Sequence, residues 1–401
     1  MRRPPEAHYS FTIPSIHDDT TLDCRVYHPD ALTKPKESVD IAQWRRRGIV
    51  MAHPYAPMGG SYDDRVVSIV VEEFLHAGWM VGTFNFRGAH GSKGRTSWSG
   101  RPELDDYTSF AAFFMHYISC LRPRLTSELT FVPDQPPILS SQSEPASTHD
   151  DESPIVILGG YSYGSLILRH LPPVPTILQP FSAQVAGTAA DEIVLRARKL
   201  ADQSNLEWIN LARDETRARA KSRAGNEPRP QVTMGGEETS PEKRRSSRDV
   251  RRSLEGGSRL EIRTRLRSLS HRRRHESHEP IQQPGKNSAT TTMPDVRYLL
   301  ISPLTAPTST LAAPALIHKF WSRSKNDYQE VIGKHITLAI YGDQDIFASS
   351  KKIRDWSEQL KAEPASRFTS VEVAGAGHFW HENGVEVRLR SALKEWEAAI
   401  R

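Results

Sequence analysis

The stretch at residues 157–166, which reads ILGGYSYGSL, decides the fold of this chain. It follows an apolar run and places Ser162 between Gly160 and Gly164, which gives the pattern Gly-x-Ser-x-Gly. A sharp strand-to-helix turn that holds a serine hydroxyl clear of the backbone needs small residues on both sides, because a Cβ would not fit. The pattern alone also fits an ordinary glycine-rich loop, so the rest of the chain must discriminate.

A nucleophilic serine needs a base to take its proton and an acid to orient that base. Both follow in the chain. The stretch 342–346 (GDQDI) comes after an apolar run and offers Asp343 and Asp345, and 374–380 (AGAGHFW) follows the next run and contains His378. The order serine, acid, histidine, with each group directly after a strand, predicts a catalytic triad at one edge of a sheet.

Apolar runs and helical patterns alternate along most of the chain. This alternation predicts an α/β fold with a mostly parallel sheet of about eight strands and helices on both faces. Strands are predicted at residues 8–13, 21–27, 48–53, 80–86, 154–158, 298–302, 336–341 and 368–373. Helices are predicted at residues 64–77, 104–118, 163–170, 351–361 and 385–400.

A polar insertion interrupts this pattern. The segment 241–275 carries thirteen Arg or Lys against four Asp or Glu, whereas the whole chain of 401 residues is only +5. We therefore predict an α/β-hydrolase-type domain formed by 8–182 and 295–401, a helical segment at 183–222, and a disordered basic segment at 223–294. The apolar side of 188–222 suggests that this segment packs over or beside the edge of the active site as a substitute lid.

Composition excludes several other classes. The two cysteines, Cys24 and Cys120, are too few for a disulfide framework and match no metal spacing, and no run approaches about 18 apolar residues. We expect no membrane span, no metal and no cofactor, and a cytoplasmic or, given the basic insertion, nuclear protein. Nucleic-acid binding is disfavoured because glutamates interleave with the arginines and aromatic platforms are missing.

The triad pattern resembles the α/β-hydrolase superfamily. His53-Pro54, Met58-Gly59-Gly60 and the stretch 84–92 (FNFRGAHGS) further resemble a group of small hydrolases with HP...GG, NFRGxGxS and GxSxG motifs. The resemblance covers about residues 8–180 and 295–400. It implies Asp345 as the acid, with Asp343 capping the turn, and an oxyanion hole formed by the backbone N–H groups of Tyr55 and Tyr163. It also implies that Arg87 binds loop carbonyls behind the floor of the site.

These observations predict a serine hydrolase that acts on a small-molecule acyl ester or thioester. The alternatives are a serine peptidase or amidase of the same fold and a non-catalytic binding protein. Tyr55, Tyr161 and Trp380 predict an aromatic pocket mouth, while His53, His90 and His116 are interpreted as structural.

Overall fold

The computed structural model describes residues 5–124, 153–183, 185–224, 293–314, 316 and 332–401. Within these residues eight strands form one sheet in the order β1-β2-β4-β3-β5-β6-β7-β8. The strands are β1 (Tyr9–Pro14), β2 (Thr21–Tyr27), β3 (Arg47–Ala52), β4 (Met80–Phe84), β5 (Ile155–Tyr161), β6 (Asp295–Ile301), β7 (Thr337–Gly342) and β8 (Phe368–Val373).

Strand β2 runs antiparallel to both of its neighbours, β1 and β4, and the other pairs of adjacent strands are parallel. The predicted α/β fold with a mostly parallel eight-stranded sheet is therefore confirmed, and the arrangement is typical of the α/β-hydrolase fold. The predicted disordered segment 223–294 falls, from residue 225 to 292, outside the described residues.

The helices of the described residues vary widely in length. They are α1 (Asp30–Thr33), α2 (Ser38–Ala42), α3 (Arg65–His76), α4 (Arg101–Cys120), α5 (Tyr163–Leu168), α6 (Val174–Ser182), α7 (Ala189–Ala224), α8 (Thr308–Ala312), α9 (Ser350–Lys361) and α10 (Val385–Ala399), with a 3₁₀ turn at Ala56–Met58. None of these helices combines the length and the apolar character that crossing a membrane requires.

The hydrophobic core lies on both faces of the sheet. Along β3, Val50 and Ala52 face the cluster that contains α4, whereas Ile49 and Met51 face the cluster built by α3 and α10. This alternation follows from the two-residue period of a strand. Because both faces are covered, β3 is apolar at nearly every position, and the sequence alone reads it as a buried strand.

The chain reverses its direction of winding at β3. After β3 it passes through α3 to β4 on one side, and after β4 it returns through α4 to β5 on the other side of β3. In open α/β sheets a crevice forms outside the carboxyl ends of the strands at such a switch point. The loop after β3 and the turn after β5 therefore flank the expected ligand site.

Helix α7 is the helical half of the predicted insertion, formed as one continuous helix. It packs on the edge strand β1 and on α4, where the hydroxyls of Tyr9 and Tyr117 lie 2.9 Å and 3.0 Å from Ser204 Oγ. The Asn205 side chain accepts from Arg122 N and donates to Cys120 O at the carboxyl end of α4.

The lid prediction for this helix is wrong. The Trp208 ring packs near His28, which follows β2 at the end of the sheet opposite the carboxyl ends of the parallel strands. The buried side of α7 packs against aromatic groups at that far end and along β1. No described residue of α7 lines the pocket, so the helix completes the core and does not form a lid.

We expect Trp208→Ala to lower the free energy of unfolding by about 3–5 kcal/mol, because the indole is buried against the body of the protein. The control is Leu206→Ala on the same helix, whose side chain is exposed and should change stability by less than about 0.5 kcal/mol. Urea unfolding of the full chain measures both. Equal stabilities of the two variants would contradict the packing of α7.

Candidate active site

A strained turn places Ser162 between β5 and α5. Ser162 has φ 54° and ψ −112°, in a region that side-chain-bearing residues rarely adopt. A Cβ on Gly160 would lie 2.4 Å from the backbone of Gly164, and one on Gly164 would lie 2.6 Å from Ala52 O. The two glycines of the sequence pattern are therefore required by close backbone approach, as the elbow interpretation expects.

The backbone and side chain of Ser162 have separate tasks. The Ser162 N–H donates to Ile301 O at 2.9 Å and ties the turn to β6. The side chain makes no capping bond to α5, and Ser162 Oγ lies 2.8 Å from His378 Nε2. The hydroxyl is thus directed at the histidine rather than at its own helix.

His378 bridges the serine and a carboxylate. Its Nδ1 lies 2.7 Å from Asp345 Oδ2, while Asp345 Oδ1 accepts from Phe347 N at 2.8 Å and Ala348 N at 3.0 Å. Facing a carboxylate, Nδ1 carries the proton, which leaves Nε2 to accept from the serine hydroxyl. The side chain of Asp345 is fully buried and that of His378 nearly so.

The second aspartate of the turn has a different role. Asp343 is exposed and accepts a hydrogen bond from Gly375 N at 2.6 Å. It joins the loop after β7 to the loop after β8. The structure therefore brings Asp345 to His378 and leaves Asp343 as a brace between loops.

A pocket of about 400 Å³ opens beside Ser162. Tyr55, in the loop after β3, and Tyr163, at the start of α5, both line it. Within the described part of the chain neither backbone N–H has a hydrogen-bond acceptor, and that of Tyr163 belongs to the first helical turn, where donors have no acceptor within the helix. Two residues that line the pocket with Ser162 thus carry a backbone N–H without an acceptor among the described residues.

The predicted aromatic mouth is correct in character but partly wrong in residues. Trp380 is fully buried, donates from Nε1 to Ser302 Oγ at 3.0 Å and does not line the pocket. The sequence analysis missed Trp98, Phe347 and Phe379, which line it instead. The available signal was a tryptophan between serines in a polar loop, a position that offers the ring no place in a core.

Arg87 follows β4, and its partners differ from those that the resemblance implied. Its guanidinium donates to both carboxylate oxygens of Asp106, to Asp18 and to Ser15 Oγ rather than to loop carbonyls. Asp106 is fully buried, so it needs a paired cation. The pair fixes the loop after β4 onto α4.

His53 joins the loop after β3 to the loop after β4. Its Nε2 accepts from Phe86 N at 2.9 Å and its Nδ1 donates to Pro54 O at 2.6 Å. Complete burial disfavours the charged imidazolium and lowers the pKa of His53 to about 4. The neutral ring therefore links the two loops through two hydrogen bonds, close in the chain to Tyr55.

No group of three or more His, Cys, Asp or Glu side chains capable of holding a metal ion occurs within the described ranges. Among the described residues that line the pocket, Asp64 carries a carboxylate. This carboxylate caps α3 by accepting hydrogen bonds from Val66 N and Val67 N. Burial raises the pKa of Asp64.

No protein-family model and no curated protein matches this sequence. Solved structures resemble it over nearly the full length at low identity and include α/β serine hydrolases and an esterase. An α/β serine hydrolase homologue from Coxiella burnetii is 14% identical, covers 97% of each chain and has a TM-score of 0.43. A serine hydrolase without a lid from Xanthomonas campestris is 14% identical over 99% of this chain and 98% of its own, with a TM-score of 0.44. An esterase from Pyrococcus furiosus is 11% identical over 98% of this chain and 89% of its own, with a TM-score of 0.40.

We expect His53 to make folding acid-sensitive. Its pKa is lowered in the folded state, so its contribution to stability is complete above about pH 6.5 and is lost as the pH falls toward 4. In His53→Gln the amide oxygen still accepts from Phe86 N–H but does not titrate. Between pH 7.5 and 4 the variant should lose on the order of 3 kcal/mol less unfolding free energy than the wild type.

Urea unfolding at several pH values measures the two slopes. Burial also lowers the pKa of His116 and of His170 to about 4, and both are present in both proteins, so the difference between the slopes isolates His53. Identical slopes would contradict the buried neutral state.

Proposed function

We propose that this protein is a serine hydrolase that cleaves an acyl ester or thioester through an acyl-enzyme intermediate. The observation that supports this proposal best is the continuous chain of contacts from Ser162 Oγ through His378 to Asp345, at 2.8 Å and 2.7 Å. These lengths suit proton transfer from the hydroxyl to the imidazole. The strained turn, which keeps the hydroxyl clear of the backbone, gives independent support.

In the proposed mechanism His378 Nε2 takes the proton of Ser162 as Oγ attacks the acyl carbonyl. Asp345 keeps the proton on Nδ1 and stabilises the imidazolium that forms. The imidazolium then protonates the leaving alcohol or thiol, and the ester bond breaks. Water, deprotonated by the same histidine, attacks the acyl-serine and releases the acid, which regenerates the free hydroxyl.

The developing oxyanion needs donors that are already in place. We assign this role to the backbone N–H groups of Tyr55 and Tyr163, because both residues line the pocket that Ser162 also lines and neither N–H has an acceptor among the described residues. His53 acts through the loop as a positioning residue, since it anchors Pro54 directly before Tyr55.

We expect Ser162→Ala and His378→Ala to lower kcat for p-nitrophenyl acetate by about 10⁶-fold. Asp345→Asn should lower it by about 10⁴-fold, because an amide favours the wrong imidazole tautomer. The matched control is Asp343→Asn, which keeps an oxygen for Gly375 N and should stay within about fivefold of the wild type. A fluorophosphonate probe should label the wild type and not Ser162→Ala.

Four outcomes would reject all or part of this proposal. Labelling and turnover that persist in Ser162→Ala would exclude the serine, and full activity of Asp345→Asn with loss in Asp343→Asn would reverse the acids. Absence of labelling in a folded wild type would favour a binding protein, whereas turnover of amides but not esters would favour a peptidase or amidase.

We expect Tyr55→Pro to lower kcat by about 10²–10³-fold, because proline removes the backbone N–H assigned to the oxyanion hole. Tyr55 has φ −61°, which proline adopts without strain. Tyr55→Ala keeps the N–H, removes the same ring and should retain kcat within about threefold. Equal kcat in the two variants would reject the assignment, and thermal unfolding checks that both are folded.

A further inference from the structure

Exposed apolar side chains ring the mouth of the pocket. Met58, Trp98, Leu311 and Phe379 line the pocket and are also exposed to solvent, Trp98 at 81% and Leu311 at 71%. They come from the 3₁₀ turn after β3, the loop after β4, helix α8 after β6 and the loop after β8, so four separate segments contribute to the mouth. We call these four residues the apolar rim.

Trp98 is exposed to solvent on a loop that is anchored through its neighbour Ser97. The neighbouring Ser97 donates from its N–H and its hydroxyl to the two carboxylate oxygens of Glu103, and Gly100 N donates back to Ser97 Oγ at 3.0 Å. Glu103 is fully buried, and burial raises the pKa of this carboxyl. An indole fixed outside the core contributes little to folding, so its apolar area is available to a ligand.

Other lining residues of the pocket are also apolar. They include Leu304, Ala312 and Phe347, and the Phe347 ring lies 4.8 Å from that of His378 and 5.8 Å from that of Phe379. Among the described lining residues none is Lys or Arg, and the Oδ1 atom of Asp64 accepts from two backbone N–H groups. The described lining therefore offers no Lys or Arg side chain to pair with a carboxylate or phosphate.

We propose that the substrate is a neutral ester with an extended apolar acyl chain, and that the rim binds this chain with Trp98 as a specificity-determining residue. This inference rests on the proposed function. Each methylene moved from water onto apolar surface multiplies affinity roughly fourfold. A pocket of about 400 Å³ that opens onto the rim gives several methylenes such a surface.

The test compares p-nitrophenyl acetate, butyrate, hexanoate and octanoate, each below its aggregation concentration. In the wild type kcat/KM should rise at least about 30-fold from acetate to octanoate. Trp98→Ala should lower kcat/KM for octanoate about tenfold and for acetate less than twofold, and Trp98→Phe should restore most of the loss. The matched control is Leu206→Ala, which removes another exposed apolar side chain, on α7 and outside the described pocket lining, and should change neither.

A charged substrate supplies a second arm. Mono-p-nitrophenyl adipate has as many acyl carbons as hexanoate but ends in a carboxylate in place of the methyl group, and after subtraction of the rate without enzyme it should be cleaved at least about tenfold more slowly than hexanoate. Equal rates would overturn the neutral-substrate inference.

A separate titration raises octanoate above its aggregation concentration. A rate that increases abruptly only there would also overturn the inference, because the rim would then bind an aggregate surface rather than one chain.

The outcomes separate this inference from the proposed function. Ser162-dependent hydrolysis with no chain-length preference, or an equal loss for acetate and octanoate in Trp98→Ala, overturns the inference and leaves the serine hydrolase standing. A folded wild type that neither cleaves acetate nor reacts with the fluorophosphonate removes the proposed function itself.

Discussion

The left-handed conformation of Ser162 is the constraint on which the site depends. Such a conformation costs about 1–3 kcal/mol and persists only where its surroundings determine it from several sides. Here the Ser162 N–H is bound to Ile301, and Gly164 packs against the backbone at the end of β3. Because β5 lies between β3 and β6, the two strands that fix the turn are its own neighbours in the sheet. The central position of β5 thus determines where the hydroxyl can be.

The histidine must reach this hydroxyl from a distance. β8 lies three strands from β5, which at about 4.8 Å per strand is roughly 14 Å, so the loop that carries His378 has to cross above β6 and β7. Trp380, itself at φ 58°, donates from its indole to Ser302 at the end of β6 and holds the loop across this span. The Tyr161 hydroxyl donates to His378 O at 2.7 Å and fixes the histidine from below. Because β8 is not adjacent to β5, the buried side chains of Trp380 and Tyr161 hold the His378 loop in place of hydrogen bonds between neighbouring strands.

The sequence predicted the features that depend on residues close together in the chain. The strands, the elbow and the order of Ser162, Asp345 and His378 follow from apolar runs and from the residues that end them. Trp380 was predicted at the pocket mouth and is buried instead, whereas Trp98, for which nothing was predicted, lines the pocket. The sequence does not show which indole finds a partner such as Ser302. The position of α7 was missed for the same reason: an amphipathic helix specifies that one side is buried but not which surface buries it. The short helices α1 and α2 carry too few residues for a helical period to be visible.

The polar groups around the loops after β3 and β4 differ in their partners. Arg87 is paired with carboxylates, and both ring nitrogens of His53 are hydrogen-bonded. The residues Tyr55 and Tyr163 line the pocket, and their backbone N–H groups have no acceptor among the described residues. The bonds of His53 join the loop after β3 to the loop after β4 and so restrict where Tyr55 can lie. Donors that are already fixed need little rearrangement when negative charge develops beside them, which is the property that the proposed oxyanion hole requires.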